Sequence, residues 1–190
     1  MWSGRGNASS KRLRGSRNPD TLSAMAREIS AGGVALRQMD GVWNVALIEP
    51  QKESPNPAKS PRKRTRAVLA LPKGLVDPGE KPLATALREV KEETGILAEP
   101  VTKLVDIKYV YIRTWGDGER VFKIVSFYLL RYVSGEIDEV TPDMRIEVKR
   151  ALWVPLDEAE RQLAYSNERK VLRQAQDYLE THGLVPKTTP

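Results

Sequence analysis

The sequence predicts a single mixed α/β domain. Its 190 residues suffice for one ordinary globular domain. Apolar residues form 40% of the chain and charged residues 29%, which is typical of a globular protein and too apolar for a fully disordered one. Segments with strand composition surround two or three segments with helical periodicity, and that order favours a sheet covered by helices.

The predicted strands begin soon after a polar N-terminal segment. They are 32–36, 42–48, 67–71, 101–113, 120–133 and 151–154. Asp40 and Gly41 between the first two are a hairpin signal, and so are residues 115–118 between the fourth and fifth. Pro72 ends the third strand because proline cannot donate to a sheet ladder.

Three segments are predicted to be helical. Residues 82–94 have helical periodicity, a short helix opens after Pro155, and residues 167–181 form an amphipathic helix. We therefore divide the chain into an N-terminal tail over 1–28, a domain over 29–182 and a C-terminal tail over 183–190.

The net charge of +6 comes from two local basic segments. Residues 1–20 contain five basic residues and one acid, and residues 59–66 contain five basic residues and no acid. The tail lacks the apolar core of a signal peptide, so we expect a cytoplasmic protein, although an organellar transit peptide also begins with such a composition. Nucleic-acid binding by this tail stays open, but a solvated tail is favoured.

The residues available for chemistry exclude several kinds of site. The chain has no cysteine, which excludes disulfide scaffolds, iron–sulfur clusters, thiolate zinc sites and cysteine nucleophiles. His182 is its single histidine, which disfavours a histidine-rich metal site. Metal chemistry must then rely on carboxylates, which bind hard cations such as Mg²⁺, Mn²⁺ or Ca²⁺. No apolar run is long enough for a transmembrane helix, so no membrane partner is expected.

The helix predicted over 82–94 concentrates acidic residues on one side. At about 100° per residue, Glu89, Glu92 and Glu93 fall on one arc. Like charges three and four residues apart, close to a helix C-terminus, destabilise the helix. The cluster is either a solvated acidic face or a site at which divalent cations meet substrate phosphates.

Nine constrained positions around this helix match the Nudix box, G-x5-E-x7-R-E-U-x-E-E-x-G-U, in which U is a bulky aliphatic residue. They are Gly74, Glu80, Arg88, Glu89, Val90, Glu92, Glu93, Gly95 and Ile96. The chain therefore resembles the Nudix hydrolases, which cleave pyrophosphate linkages in compounds built on a nucleoside diphosphate. The resemblance implies a Nudix-type α/β/α sandwich with a mixed β-sheet.

The resemblance also implies a set of metal ligands. Glu92 and Glu93 match the principal Mg²⁺ ligands, for which Mn²⁺ is a possible substitute, and Glu89 matches a ligand or the general base. The carbonyl of Gly74 matches a further ligand. Some members add a carboxylate from beyond the box, for which Glu136 is the best candidate here. Its rivals are Asp138, Glu139 and Glu119.

The remaining box residues are implied to support the glutamates. Arg88 is placed with them among the catalytic residues, and Arg88 and Glu80 are implied to orient them through charge-assisted hydrogen bonds. Gly95 is expected to end the helix as a structural residue.

The predicted substrate contacts are less specific than the box. Residues 71–74 resemble the same stretch of diadenosine polyphosphate hydrolases, so Lys73 is either a phosphate contact or an exposed loop lysine. Arg64 and Arg66 belong either to a solvated loop or to an electrostatic funnel for an anionic substrate. Tyr109 and Tyr111 fall on one face of a strand, where they could stack on a base or pack in the core.

The sequence as a whole predicts a Mg²⁺-dependent pyrophosphohydrolase of a small nucleotide, with diadenosine polyphosphates first. Alternatives in the same class are the cleaning of (oxidised) nucleoside triphosphates and the hydrolysis of inositol pyrophosphates or RNA 5′ ends. A non-catalytic Nudix-like nucleotide-binding module is the alternative from another class, disfavoured because the box glutamates are all present. A homodimer is a further expectation from the resemblance.

Overall fold

Six strands form one mixed sheet in the part of the chain that is described. The computed structural model describes residues 25–51, 68–113 and 118–184. The strands are β1 (Ala26–Met39), β2 (Val42–Pro50), β3 (Lys73–Leu75), β4 (Leu97–Ile112), β5 (Arg120–Ser134) and β6 (Val148–Pro155). Their order is β4-β5-β1-β2-β6, with β3 paired to β1. β1 and β5 run parallel, whereas the other pairs are antiparallel, which confirms the predicted mixed sheet.

Helices cover both faces of this sheet. They are α1 (Pro82–Thr94), α2 (Leu156–Gln162) and α3 (Ser166–His182), and a short 3-10 helix spans Met144–Ile146. Val90 of α1 packs with Ala35 of β1 on one face, and Val34 of β1 packs with Leu172 of α3 on the other. The predicted α/β/α sandwich is confirmed. None of the helices within the described ranges has the length and apolar character that a membrane span requires.

The two predicted hairpins are confirmed as strand pairs. Asp40 and Gly41 join β1 to β2 with φ angles of 49° and 80°, the positive values that a two-residue type I′ turn needs. β4 pairs antiparallel with β5 along most of its length. Of the turn predicted between these two strands, residues 115–117 lie outside the described residues.

The prediction of a regular strand over 67–71 is wrong. Its described residues form only single bridges, from Ala70 to β2 and from Leu69 to the connection between α2 and α3. The N–H of Leu71 donates instead to the carboxylate of Glu168 over 2.9 Å. Because the backbone hydrogen bonds of this segment are divided among three different partners, no continuous ladder forms.

β3, which the sequence does not predict, is formed by the residues that open the Nudix box. It pairs with residues 30–32 at the middle of β1. A Cβ built on Gly32 would overlap the Pro72 carbonyl and would lie 2.6 Å from the Cβ of Lys73, so the pairing excludes a side chain at position 32. The start of the box is thereby held against the sheet next to α1.

Candidate active site

The helix that carries the acidic cluster forms as predicted, and it buries two of the three glutamates. α1 begins at Pro82 and ends before Gly95, whose φ of 82° is left-handed and whose N–H donates to the last helical turn over 2.8 Å. Glu89 is 8% exposed and Glu93 is 7% exposed. A solvated acidic face is therefore ruled out for these two residues, since buried carboxylates need a compensating partner.

The backbone of β3 approaches both buried carboxylates. Glu93 accepts a hydrogen bond at Oε2 from the backbone N–H of Lys73 over 2.7 Å. A Cβ built on Gly74 would overlap the Glu89 carboxylate, so the glycine leaves the space that this side chain occupies. Burial raises the pKa of Glu89 and raises the pKa of Glu93 to about 8, and the charge of Glu147 adds to both shifts. Both buried carboxylates therefore hold a proton more readily than a solvent-exposed glutamate does.

Arg88 connects three acids of the box, Glu80, Glu89 and Glu92, in one ion-pair network. Its Nη1 donates to Glu89 over 2.7 Å and to Glu92 over 2.9 Å. Its Nε and Nη2 donate to Glu80 over 3.1 and 2.9 Å. These bonds, together with one from the Thr85 hydroxyl, lower the pKa of Glu80 to about 2. The contacts are of the kind that the resemblance implies for Arg88 and Glu80.

Two acids from the segment between β5 and β6 lie near different ends of the box. Glu136, the predicted additional ligand, lies at the end of α1, where its carbonyl would be 2.6 Å from a Cβ on Gly95. Glu147 lines a cavity together with Glu89 and Glu92. Sequence reasoning missed Glu147, because nothing in its spacing distinguishes it from other acidic residues in loops.

The loop that carries Glu147 is fixed by its own hydrogen bonds. The carbonyl of Glu147 accepts from the N–H of Gln51 over 2.6 Å. Asp138, which has a φ of 72°, accepts at Oδ1 from Arg145 over 2.8 Å and from the N–H of Ala151 over 2.6 Å. The hydrogen bond from Arg145 lowers the pKa of Asp138. The loop is therefore anchored to Gln51, the residue that follows β2, and to Ala151 of β6.

The donor set of the box suits a hard divalent cation. It offers the carboxylates of Glu89, Glu92 and Glu93, with the Gly74 carbonyl that the resemblance adds, and no nitrogen or sulfur ligand. Within the described ranges, no three acidic or histidine side chains converge closely enough to hold an ion as they stand. The Nη1 of Arg88 lies between Glu89 and Glu92, within hydrogen-bond distance of both.

Two cavities meet at Lys73. The carboxylate cavity has a volume of about 410 Å³ and is lined by Ser30, Lys73, Gly74, Leu75, Asp77, Arg88, Glu89, Glu92, Lys123, Met144 and Glu147. The tyrosine cavity has a volume of about 450 Å³ and is lined by Lys73, Ile107, Tyr109, Val125, Phe127, Tyr165, Asn167 and Glu168. Lys73 belongs to the wall of both.

The remaining predicted substrate residues have different positions. Tyr109 lines the tyrosine cavity. Tyr111 lies on the same face of β4, with its ring centroid 6.3 Å from that of Tyr109, and it forms a hydrogen bond with Glu28. Arg64 and Arg66 lie outside the described residues.

Glu168 is a second site residue that sequence reasoning missed. It is 4% exposed, and its Oε1 lies 3.3 Å from the Nζ of Lys73. Burial alone would lower the pKa of Lys73, but neighbouring carboxylates, Glu168 first, outweigh it and raise that pKa. A signal was available, because Glu168 precedes three buried apolar residues of α3 at helical spacing. These are Val171, Leu172 and Ala175.

Several known proteins resemble this chain in sequence. A model of the NUDIX domain matches residues 27–175. A relative from Mycobacterium tuberculosis (strain CDC 1551 / Oshkosh), named "Putative mutator protein MutT4", is 34% identical over 175 residues, or 91% of this chain and 64% of the relative. The 8-oxo-(d)GTP phosphatase of Mycolicibacterium smegmatis is 33% identical over 55% of this chain and 29% of its own length. The asymmetrical bis(5'-nucleosyl)-tetraphosphatase of Mus musculus is 31% identical over 57% of this chain and 69% of its own length.

Solved structures share the fold. The binary complex of a C. elegans Ap4A hydrolase matches with a TM-score of 0.56 and 24% identity, covering 80% of this chain and 98% of that one. The chain spans less than two thirds of the lengths of the first two relatives, 64% and 29%. The match of the domain model to most of the chain and the shared sandwich agree with the box. The chain therefore belongs to the Nudix hydrolase family, whose members act on phosphoric anhydride bonds.

Proposed function

We propose that this chain is a Mg²⁺-dependent pyrophosphohydrolase of nucleoside polyphosphates, with dinucleoside polyphosphates such as diadenosine polyphosphates as the first substrate class. The observation that carries the proposal is the presence of Lys73 in the wall of both cavities. A nucleoside polyphosphate joins an aromatic base to a chain of phosphates, so it needs an apolar cavity beside a charged one. Tyr109 and Tyr165 supply rings on which a base can stack.

A bound divalent cation is expected in the carboxylate cavity, since Nudix enzymes generally use divalent metals such as Mg²⁺. Glu89 and Glu92, which line this cavity, would hold it with the carbonyl of Gly74 and with Glu93, the acceptor of the Lys73 N–H. Glu147 is the candidate for an additional carboxylate. Glu89 and Glu92 would exchange the Arg88 guanidinium for the cation. When bound, the cation neutralises phosphate oxygens and lowers the pKa of a water molecule.

The other steps belong to side chains of this chain. Glu89, which is buried next to Gly74, would accept a proton from the water that attacks phosphorus in line. Arg88 retains Glu80 as a partner throughout, so the guanidinium stays beside the cluster. Lys73 donates hydrogen bonds to phosphate oxygens from the wall between the cavities.

A second candidate substrate class is the nucleoside triphosphates, oxidised ones included. The names of the MutT4 relative and of the 8-oxo-(d)GTP phosphatase support it. The first class is supported by the asymmetrical bis(5'-nucleosyl)-tetraphosphatases of mouse and rat, at 31% and 32% identity. Inositol pyrophosphates and RNA 5′ ends rank below both classes.

The proposal is tested with purified protein, Mg²⁺ and a substrate panel in which the products are identified. The panel holds diadenosine polyphosphates, nucleoside triphosphates with 8-oxo forms, ADP-ribose, an inositol pyrophosphate and 5′-triphosphate RNA. We expect diadenosine polyphosphates to have the highest kcat/KM. Cleavage of ADP-ribose alone would overturn the ranking, and metal-independent binding without cleavage of any compound would favour the non-catalytic module.

A further inference from the structure

We propose that Glu168 is a positioning residue for substrate binding, which holds the Lys73 ammonium in the wall between the tyrosine cavity and the carboxylate cavity, where it meets the phosphate next to the nucleoside. The inference rests on the proposed function and extends it to a residue of α3, far from the box in sequence. Glu168 acts through Lys73 rather than on the substrate itself.

The two oxygens of Glu168 have separate partners. Oε2 accepts the N–H of Leu71 over 2.9 Å, which fixes the carboxylate against the segment that enters the box. Oε1 lies 3.3 Å from the ammonium of Lys73. The backbone N–H of the same lysine donates to Glu93 over 2.7 Å. Lys73 is thus held at its backbone by the carboxylate cluster and at its ammonium by α3.

The stem of Lys73 is also confined. A Cβ on Gly32 would lie 2.6 Å from the Cβ of Lys73, so the lysine packs directly against the backbone of β1. Its side chain is nonetheless 28% exposed, whereas that of Glu168 is 5% exposed. An ammonium group has three donors, and one hydrogen bond to Glu168 leaves it the capacity to bind a phosphate oxygen as well.

Electrostatics explains why the lysine needs this partner. Lys73 adjoins a cluster of carboxylates, and Glu93 already attracts its charge. An ammonium without Glu168 would pair with that cluster and would compete with a divalent cation for it. The buried Glu168 carboxylate draws the ammonium to the side of the tyrosine cavity and leaves the cluster acidic.

A purely structural role for Glu168 is the alternative, in which it only docks α3 onto Leu71. Glu168→Gln separates the two roles, because the amide oxygen of glutamine still accepts the Leu71 N–H but carries no charge for Lys73. The experiment compares the wild-type protein with Glu168→Gln, Lys73→Met and the double variant. It measures KM and kcat with Mg²⁺, the Kd of an α,β-methylene nucleoside triphosphate, and the melting temperature.

We expect each single variant to raise KM and Kd about tenfold, the effect of losing one charge-assisted hydrogen bond, while kcat stays within about threefold. The double variant should bind no more weakly than Lys73→Met, because Glu168 acts through the lysine. Glu160→Gln is the matched control: Glu160 pairs with Arg173 over 3.6 Å on the exposed side of α2 and α3, and its loss should leave Kd unchanged.

Unchanged Kd in Glu168→Gln would overturn the inference, and so would losses that multiply in the double variant. If Glu168→Gln does not fold, Lys73→Met decides alone: an unchanged Kd in Lys73→Met would overturn the inference, because the lysine would then not contact the phosphate. Wild-type protein that binds the analogue yet cleaves nothing in the panel would refute the proposed function. The Kd values of the variants would still decide the inference about Glu168. Wild-type protein that does not bind the analogue overturns the inference.

Discussion

The two cavities that share Lys73 are built in opposite ways. The acids and the arginine of the carboxylate cavity come mainly from one helix and the turn before it, within about twenty consecutive residues. The tyrosine cavity takes its walls from β3, β4, β5 and the start of α3, which are distant in sequence. The reactive cluster is therefore encoded by local spacing, whereas the cavity proposed for the base depends on the assembled fold.

The strongest test of this division is Glu93→Gln in the acidic cluster of α1. We expect kcat to fall about 100-fold or more, because glutamine lacks the charge to bind a cation or take a proton. The melting temperature should stay close to that of the wild type, since the amide oxygen still accepts the Lys73 N–H. Near-wild-type turnover at saturating Mg²⁺ would reject the assignment of Glu93.

A matched pair of variants tests which acid outside the box contributes to the carboxylate cavity. Glu147→Gln should lower kcat/KM about 10-fold to 100-fold, the range for a residue that supports a metal site. Glu136→Gln should have almost no effect, because Glu147 and not Glu136 lines the cavity. Steady-state kinetics at several Mg²⁺ concentrations distinguishes them, and the reverse order would restore Glu136 as the additional ligand.

The tyrosine cavity is tested by Tyr109→Leu. Loss of a stacking ring is expected to raise KM about tenfold with little change in kcat. Tyr111→Leu is the control, because Tyr111 lies on the same face but outside the lining of the cavity. Equal increases of KM in both variants would show that the base site extends along β4.

The smallest expected effect is that of Asp138→Asn in the loop that carries Glu147. Asparagine tolerates the left-handed φ of this position but loses the charge that Arg145 binds, so we expect a loss of about 1 kcal/mol in the free energy of unfolding for this partly exposed pair. Denaturant titrations at pH 7 measure this loss.

The same loss should depend on pH in a definite direction. The folded-state pKa of Asp138 lies below its ordinary value of 3.8, so its contribution is complete above that value and disappears as the pH falls through the folded-state pKa. The difference between wild type and variant should therefore shrink at pH 3. An equal difference at pH 3 and pH 7 would show that the carboxylate charge is not what anchors the loop.

Local pattern was enough to predict α1, its ends and its acidic cluster, because helical spacing and glycine conformation act within a few residues. The same holds for the hairpin at Asp40 and Gly41. The strand over 67–71 was mistaken because composition does not reveal how backbone hydrogen bonds are divided among distant partners. β3 and Glu147 were missed for the same reason, since both depend on contacts with residues far along the chain.

Glu168 is the intermediate case. Its position on the apolar side of an amphipathic helix marks it as a buried acid, and a buried acid needs a partner. The identity of that partner, Lys73, is decided only when α3 docks on the sheet. An acid on the apolar side of an amphipathic helix therefore predicts a buried partner, even when the sequence does not identify that partner.

Gly74 shows what limits variation at the centre of the site. Gly74 does not have a positive φ angle, so any amino acid could adopt its backbone conformation. What the position lacks is room, because the Glu89 carboxylate fills the volume in which a methyl group would stand. Glycine is therefore required here for steric reasons and not for backbone flexibility. An alanine at this position would displace the Glu89 carboxylate and leave the backbone conformation unchanged.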